Sequence, residues 1–302
     1  MVSEVEVHIA KGKRLLLDQQ DAVAAIDEFS RALADDPTSV AAFVYRHFGY
    51  LDLKMWPRAI ADMNQAIRLC PDEPRLFAYR AQAKIESRDY AGAYDDLCEA
   101  MTMDGTGGSL DLLWKRGYVA LKLRRSDQAI ADYGEILAMC PQDACARNNR
   151  GLAYMEKGLL EEALDDFNRA VELNSDHPDH LNSRARFYEQ TGQTELALRD
   201  SALALETCDR IFDPSLSDDV VWNDRAEALV RLGRYEEAME TSRKVLLIRE
   251  DDPEAYRFIA DALGGLGRYD EALKNYDKSI SLDADPEVIA LRAKLEQKRQ
   301  KA

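Results

Sequence analysis

The sequence predicts an all-α solenoid in which one helix pair is copied eight times and followed by a last amphipathic helix. Three observations carry that prediction. The stretch 144–177, ACARNNRGLAYMEKGLLEEALDDFNRAVELNSDH, reads as two amphipathic helices joined at Gly158, with apolar residues recurring at helical spacing. Aligning the rest of the chain on the alanine of its second helix finds Ala25, Ala59, Ala93, Ala129, Ala163, Ala197, Ala238 and Ala272, spaced by 34, 34, 36, 34, 34, 41 and 34 residues. Each copy also sets small residues against bulky ones at matching places, which lets two helix axes approach closely.

Placing that alanine at position 20 gives repeats 6–39, 40–73, 74–107, 110–143, 144–177, 178–211, 219–252 and 253–286, read as one solenoid over residues 1–302. The first helices carry Ala81, Gly117, Gly151, Ala185, Ala226 and Ala260 at the crossing. The second helices carry Phe29, Met63, Leu97, Tyr133, Phe167 and Tyr276 four residues after the alanine. Lys13 and His47 stand where a small residue belongs, which predicts looser crossings in the first two repeats. Ser201 and Ser242 stand where the bulky residue belongs. Gly158, Gly192, Gly233 and Gly267 mark the turn inside the pair. Pro37, Pro71 and Pro141 end second helices, because proline lacks the N–H and clashes with the preceding turn.

Two residues are added at 108–109 and seven at 212–218, both between repeats. They read as tolerated surface loops; the second also reads as a hinge or contact loop. In 287–302, apolar Val288, Ile289, Leu291 and Leu295 precede a basic end of Lys294, Lys298, Arg299 and Lys301. This is the pattern of a capping helix, since a solenoid otherwise leaves its last apolar face bare.

The 34-residue pattern resembles the tetratricopeptide repeat. The resemblance implies a right-handed α-α superhelix of helix pairs whose first helices line a concave groove, and a groove presented to a peptide or protein. On that frame, positions 5 and 9 of the first helices look into the groove. The candidate binding residues are then Phe48, Gln82, Trp114 and Tyr118 in the early half, and Asn148, Asn182, Asn223 and Arg186 in the later half. Asparagine can donate to and accept from an extended peptide backbone, and aromatics anchor apolar side chains. The competing reading makes the asparagines plain polar surface and the aromatics core. Co-chaperone members of the family clamp a C-terminal carboxylate with lysine at position 5 and asparagine at position 9. This chain has neither at those places, which disfavours that ligand.

Position 7 repeats Arg46, Arg80, Arg116, Arg150, Arg184 and Arg225, and position 23 repeats Glu28, Asp62, Asp96, Asp132, Asp166 and Asp200. Pairing each acid with the arginine of the next repeat is complementary six times, and both charges vanish together at Thr241/Ile259. Pairing within a repeat sets Gly12 against Glu28 and Arg225 against Thr241. The expectation is six salt bridges between successive repeats, rather than an anion-binding ladder.

A net charge of −16 opposes binding to nucleic acid or to an anionic membrane, and favours a partner with a basic segment. The cysteines, Cys70, Cys98, Cys140, Cys145 and Cys208, are odd in number and form no C-x-x-C, so no disulfide framework is expected. Cys70 and Cys140, each before a proline, read as small buried residues. The N-terminus lacks the apolar core of a secretory signal, and no run approaches the roughly 18 apolar residues of a membrane helix. The reading is a soluble, reduced, cytoplasmic protein. SDHPDH at 175–180 admits a metal through His177 and His180. It is read instead as a helix stop and restart with Asp176 or Asp179 near the cap, so no metal and no cofactor are expected. No phosphate-binding loop, H-E-x-x-H or G-x-S-x-G occurs, and no catalytic activity is expected. The expected function is a scaffold or adaptor that binds a protein or peptide. The alternative is a structural protein that self-associates through its ends or convex face.

Overall fold

A computed structural model describes residues 3–105, 108–211 and 219–301 of the chain. The regular elements among them are seventeen helices, and none of these residues forms a strand. No helix among them is long and apolar enough to cross a membrane. The insertion 212–218 lies outside the described residues.

The helices belong to two compact units, Met1–Ile136 and Leu137–Ala302. The N-terminal unit holds α1 (Glu4–Leu17), α2 (Ala22–Asp35), α3 (Val40–Asp52), α4 (Trp56–Leu69), α5 (Pro74–Glu86), α6 (Tyr90–Asp104), α7 (Leu110–Lys122) and the start of α8 (Ser126–Met139). The C-terminal unit holds α9 (Ala144–Glu156), α10 (Leu160–Leu173), α11 (Pro178–Gln190), α12 (Thr194–Ile211), α13 (Asp219–Arg231), α14 (Tyr235–Ile248), α15 (Pro253–Gly265), α16 (Tyr269–Leu282) and α17 (Pro286–Lys301). Each odd-numbered helix from α1 to α5 and from α9 to α15 packs on its successor, and that successor packs on the next odd helix.

Local chemistry sets the boundaries. The side chains of Ser39, Asp89, Ser109, Asp143 and Asp252 each accept the third amide of the helix they precede, supplying a partner that the helix itself cannot. Pro74, Pro178 and Pro253 open helices, where a missing N–H costs nothing. The turn inside each pair places one residue in the left-handed region. Glycine fills it at 158, 192, 233 and 267, whereas Gln20, Lys54, Arg88 and Arg124 fill it in the N-terminal unit at φ of 52°, 55°, 63° and 54°. A side chain there is strained by about 1 kcal/mol. Lys54→Gly is therefore expected to stabilise the protein by about 0.5–1 kcal/mol in urea unfolding.

The crossings follow the small-against-bulky rule, with one shift. A Cβ on Gly117 or Gly151 would come within 3.0 or 2.8 Å of the ring of Tyr133 or Phe167, both fully buried. In the first pair the close approach is made by Gly12, 2.5 Å from Phe29 on the same measure, and not by residue 13. The connection from α1 to α2 is one residue longer than that from α3 to α4, so α1 is displaced by one position. The expected loose crossing at Lys13 does not arise: its ammonium sits over the Tyr45 ring. In the second pair the crossing is filled rather than open, because His47 is fully buried, as is Met63, and bonds the Ala59 carbonyl at 3.1 Å.

The arginine–carboxylate pairing differs from the expectation. Arg46, Arg80, Arg116, Arg150 and Arg184 grip Asp62, Asp96, Asp132, Asp166 and Asp200, sixteen residues on, each through two bonds of 2.6–3.0 Å. The forks close within a helix pair, not between successive repeats. Lys11 takes the arginine's place in the displaced first pair, 2.7 Å from Glu28, and Arg225 bonds Thr241 at 2.7 Å. The reason is the crossing: each arginine precedes the first-helix crossing position and each aspartate the second-helix position facing it, as Arg150 and Asp166 precede Gly151 and Phe167. The third guanidinium nitrogen does reach the previous repeat, bonding Ser30, Asn64 or Asn168 from Arg46, Arg80 or Arg184.

Two smaller expectations also change. Cys70 is exposed and Cys140 half-buried, because both sit where the chain leaves the packed face of a second helix. On α17, Val288 packs with Ala260 and Tyr276, and Leu291 and Leu295 flank them, while Ile289 points away at 44% exposure. Arg299 ties the end of α17 to Asp270 at 2.9 Å.

Candidate binding face of the first helices

The candidate residues fall four to each compact unit. In the N-terminal unit, Phe48 lies edge-on to Tyr79 at 5.1 Å, and Trp114 leans edge-on against the core residue Tyr133 at 5.4 Å. Gln82 donates to Glu86 one turn along its own helix. Tyr118, 39% exposed, is the most open of the four. Phe48 and Trp114 thus contribute to packing.

In the C-terminal unit the four residues lie on first helices that contact one another in the order α9, α11, α13. Asn148 and Asn182 are 1% exposed and Asn223 is 8% exposed, so they are not plain polar surface. Each amide donates forward: Asn148 to the Asp179 carboxylate at 3.0 Å, Asn182 to the Asp224 carbonyl at 2.9 Å, and Asn223 to Asp252 at 3.3 Å. Position 5 is therefore a stitched seam between adjacent first helices. The side-chain oxygens of all three asparagines have no partner.

Charge gathers beside this seam. Arg186 of α11 reaches Glu227 of α13 at 2.6 Å; Arg231 bonds the same carboxylate, and Arg257 of α15 lies 3.6 Å from Asp261. Tyr276 donates to Asp261. Burial pushes the Glu227 carboxyl up, but Arg186, Arg231 and Arg257 together outweigh it and hold the group well below the usual carboxylate range. Among the described residues no cation acts on Asp224, and on Asp179 the pull of His177 and Arg186 does not outweigh burial. Burial, reinforced by the Glu227 charge and for Asp224 by Asp179, raises both above their ordinary value, Asp224 the more. Burial raises Asp261 as well, against the pull of Arg257. Solvent still enters, since the Arg186 side chain keeps 24% of its exposure. Including the more peripheral Glu254 and Glu287, six carboxylates act here against three guanidiniums. The sequence pointed to Arg186 as a candidate and to Asp179 only as a helix-cap residue; Asp224, at position 6, lies off the repeated stripe.

The buried seam, the crossings and the turns together define the repeat. Family models described as tetratricopeptide repeat match residues 115–178 and 229–295. The chain carries tetratricopeptide repeats. Its α-α superhelical class is shared with yeast Tom70, which covers 99% of this chain and 65% of its own at TM-score 0.60 and 16% identity. A second tetratricopeptide repeat structure, YrrB, matches 59% of this chain and 91% of its own at TM-score 0.50 and 20% identity. Among curated proteins, DnaJ homolog subfamily C member 3 of Gallus gallus is 28% identical over 258 residues, 78% of this chain and 50% of that protein. The chain spans about half the length of that relative.

Proposed function

We propose that this protein is a protein-interaction scaffold whose C-terminal unit captures a basic segment of a partner along the first-helix face of α9, α11, α13 and α15. The observation that carries this reading is the surplus of carboxylates beside a row of unpaired asparagine oxygens. Lysine and arginine side chains are donors only. They would meet Asp224, on which no cation among the described residues acts, Asp179, whose pull from Arg186 and His177 is outweighed by burial, and the free side-chain oxygens of Asn148, Asn182 and Asn223. The net charge of −16 would steer such a segment from a distance. YrrB, which shares the fold, is described as a TPR protein with an unusual peptide-binding site. Tyr118, in the N-terminal unit, is by itself a place for an apolar side chain.

The test is fluorescence anisotropy with labelled peptides of matched length, one lysine- and arginine-rich and one acidic. The basic peptide is expected to bind with an affinity that falls as salt rises. Asn148→Ala combined with Asn182→Ala is expected to weaken it by about tenfold, the equivalent of roughly 1.4 kcal/mol. Equal binding of the acidic peptide, or full binding by the double variant, would defeat the proposal. Concentration-dependent size without peptide binding would favour self-association instead.

A further inference from the structure

The fold brings together three side chains that the sequence separates. Cys145 lies in the first turn of α9, and His177 and His180 lie at the start of α11. Their ligand atoms all fall within 4.8 Å of one another. The two imidazoles stack at 4.3 Å with planes 14° apart. His180 is fully buried, and neither ring nitrogen has a hydrogen-bond partner; Nδ1 of His177 is also buried and unpaired. The Asn174 backbone lies near enough to act on the His180 ring, yet is not aligned to bond it. Three unpaired imidazole nitrogens in one place are costly, and a ligand that takes one lone pair from each neutral ring would offset part of that cost.

The SDHPDH motif has no other duty that would explain them. His177 occupies the cap position of α11 but makes no capping bond. Asp176 is drawn instead to Arg210 at 2.6 Å, and Asp179 accepts from Asn148. The helix restart is supplied by Pro178 at the first helical position.

We propose that Cys145, His177 and His180 form a binding site for a single Zn(II) ion, with water completing a tetrahedron. One thiolate and two neutral imidazoles suit a borderline-soft d10 ion that has no geometric demand of its own. Zinc–sulfur and zinc–nitrogen bonds of about 2.3 and 2.0 Å set tetrahedral edges of roughly 3.3–3.6 Å. From separations of up to 4.8 Å, the three ligand atoms therefore need to close by up to about 1.5 Å. Cys145 sits at an exposed position, and His177 is in the loop before α11, so side-chain rotation can turn the stacked rings toward a common point. Binding converts the Cys145 thiol to a thiolate and releases its proton to solvent. Asp143 and Asp179, both close enough to act on Cys145, add negative potential that favours a dication. The ion would pin the start of α9 to the α10–α11 connection, beside the carboxylate that Asn148 holds.

Calorimetry on the full chain at pH 7 is expected to give one Zn(II) per chain, with a rise in Tm of about 5 °C at saturating metal. Co(II) is expected to produce the charge-transfer absorption of a cobalt–thiolate bond. Cys145→Ser is expected to abolish that band, and both Cys145→Ser and His177→Gln to weaken zinc at least about tenfold with an unchanged far-UV spectrum. These two positions are chosen because neither is as buried as His180. Absence of saturable zinc binding overturns the proposal. So does zinc binding with a cobalt spectrum that survives both substitutions, which would place the ion among surface acids.

Discussion

Asp166→Ala is expected to destabilise the protein by about 3–5 kcal/mol, the cost of leaving a partly buried guanidinium without its carboxylate. The Asp166 side chain is 2% exposed and that of Arg150 22%. The fork between them closes at 2.7 and 2.9 Å, and Arg147 adds a third, longer approach to the same carboxylate at 3.5 Å. A surface pair would contribute about 0–1 kcal/mol and weaken in salt. This one is shielded by the crossing of Gly151 on Phe167 directly beside it. In a double-mutant cycle, Asp166 and Arg150 are expected to couple by about 2 kcal/mol. Asp166 and Arg184 are expected to couple by less than about 0.5 kcal/mol, because Arg184 is already held by Asp200 at 2.7 and 2.9 Å. Urea unfolding of the four proteins in each cycle measures both values. The reverse order, strong coupling to Arg184 and none to Arg150, would restore the inter-repeat pairing that the sequence suggested.

The register of the repeat was legible because it is written in steric terms. Small and bulky residues recur at fixed spacing, and a helix pair cannot cross without them. The charge pairing was misread although its signal was present. Gly151 touches Phe167 sixteen residues on, and Arg150 and Asp166 carry the same separation. The apparent failure of within-pair matching at Gly12/Glu28 came from counting backward through a turn that holds one extra residue; Lys11 was the true counterpart. Turn positions were only half visible. Glycine announces a left-handed residue in the C-terminal unit, but Gln20, Lys54, Arg88 and Arg124 accept the same conformation under tertiary constraint. The asparagine row was found by its periodicity. Its burial and the orphaned carboxylates beside it were not, because they depend on how adjacent first helices approach, which no single repeat encodes. Cys145 joins His177 and His180 only through the packing of α9 against α11.

Two neighbouring acids on α13 are expected to respond in opposite senses to loss of charge. Glu227→Gln removes the carboxylate that Arg186 and Arg231 share and that Arg257 also feels. The Glu227 side chain is 9% exposed, so the loss at neutral pH is expected to be about 3–5 kcal/mol. Its folded pKa lies below the unfolded one. The stability it supplies is therefore present above the unfolded value, near 4.3, and disappears as pH falls toward the folded one. Wild type and Glu227→Gln should converge in strong acid. Asp224, three residues earlier and 8% exposed, is the reverse case. Its folded pKa lies above the unfolded one, so ionisation costs stability; the cost is absent below about pH 4 and grows as pH rises to the folded value. Asp224→Asn is thus expected to stabilise the free protein by about 1–2 kcal/mol at pH 7, with the gain fading on acidification. Thermal unfolding across pH for the three proteins reads both signs. On the proposed function a cationic partner would relieve the same cost, so the variant that is more stable alone should hold the basic peptide less tightly. Asp224→Asn with raised Tm and unchanged peptide affinity would mean that its charge is borne for some reason other than binding.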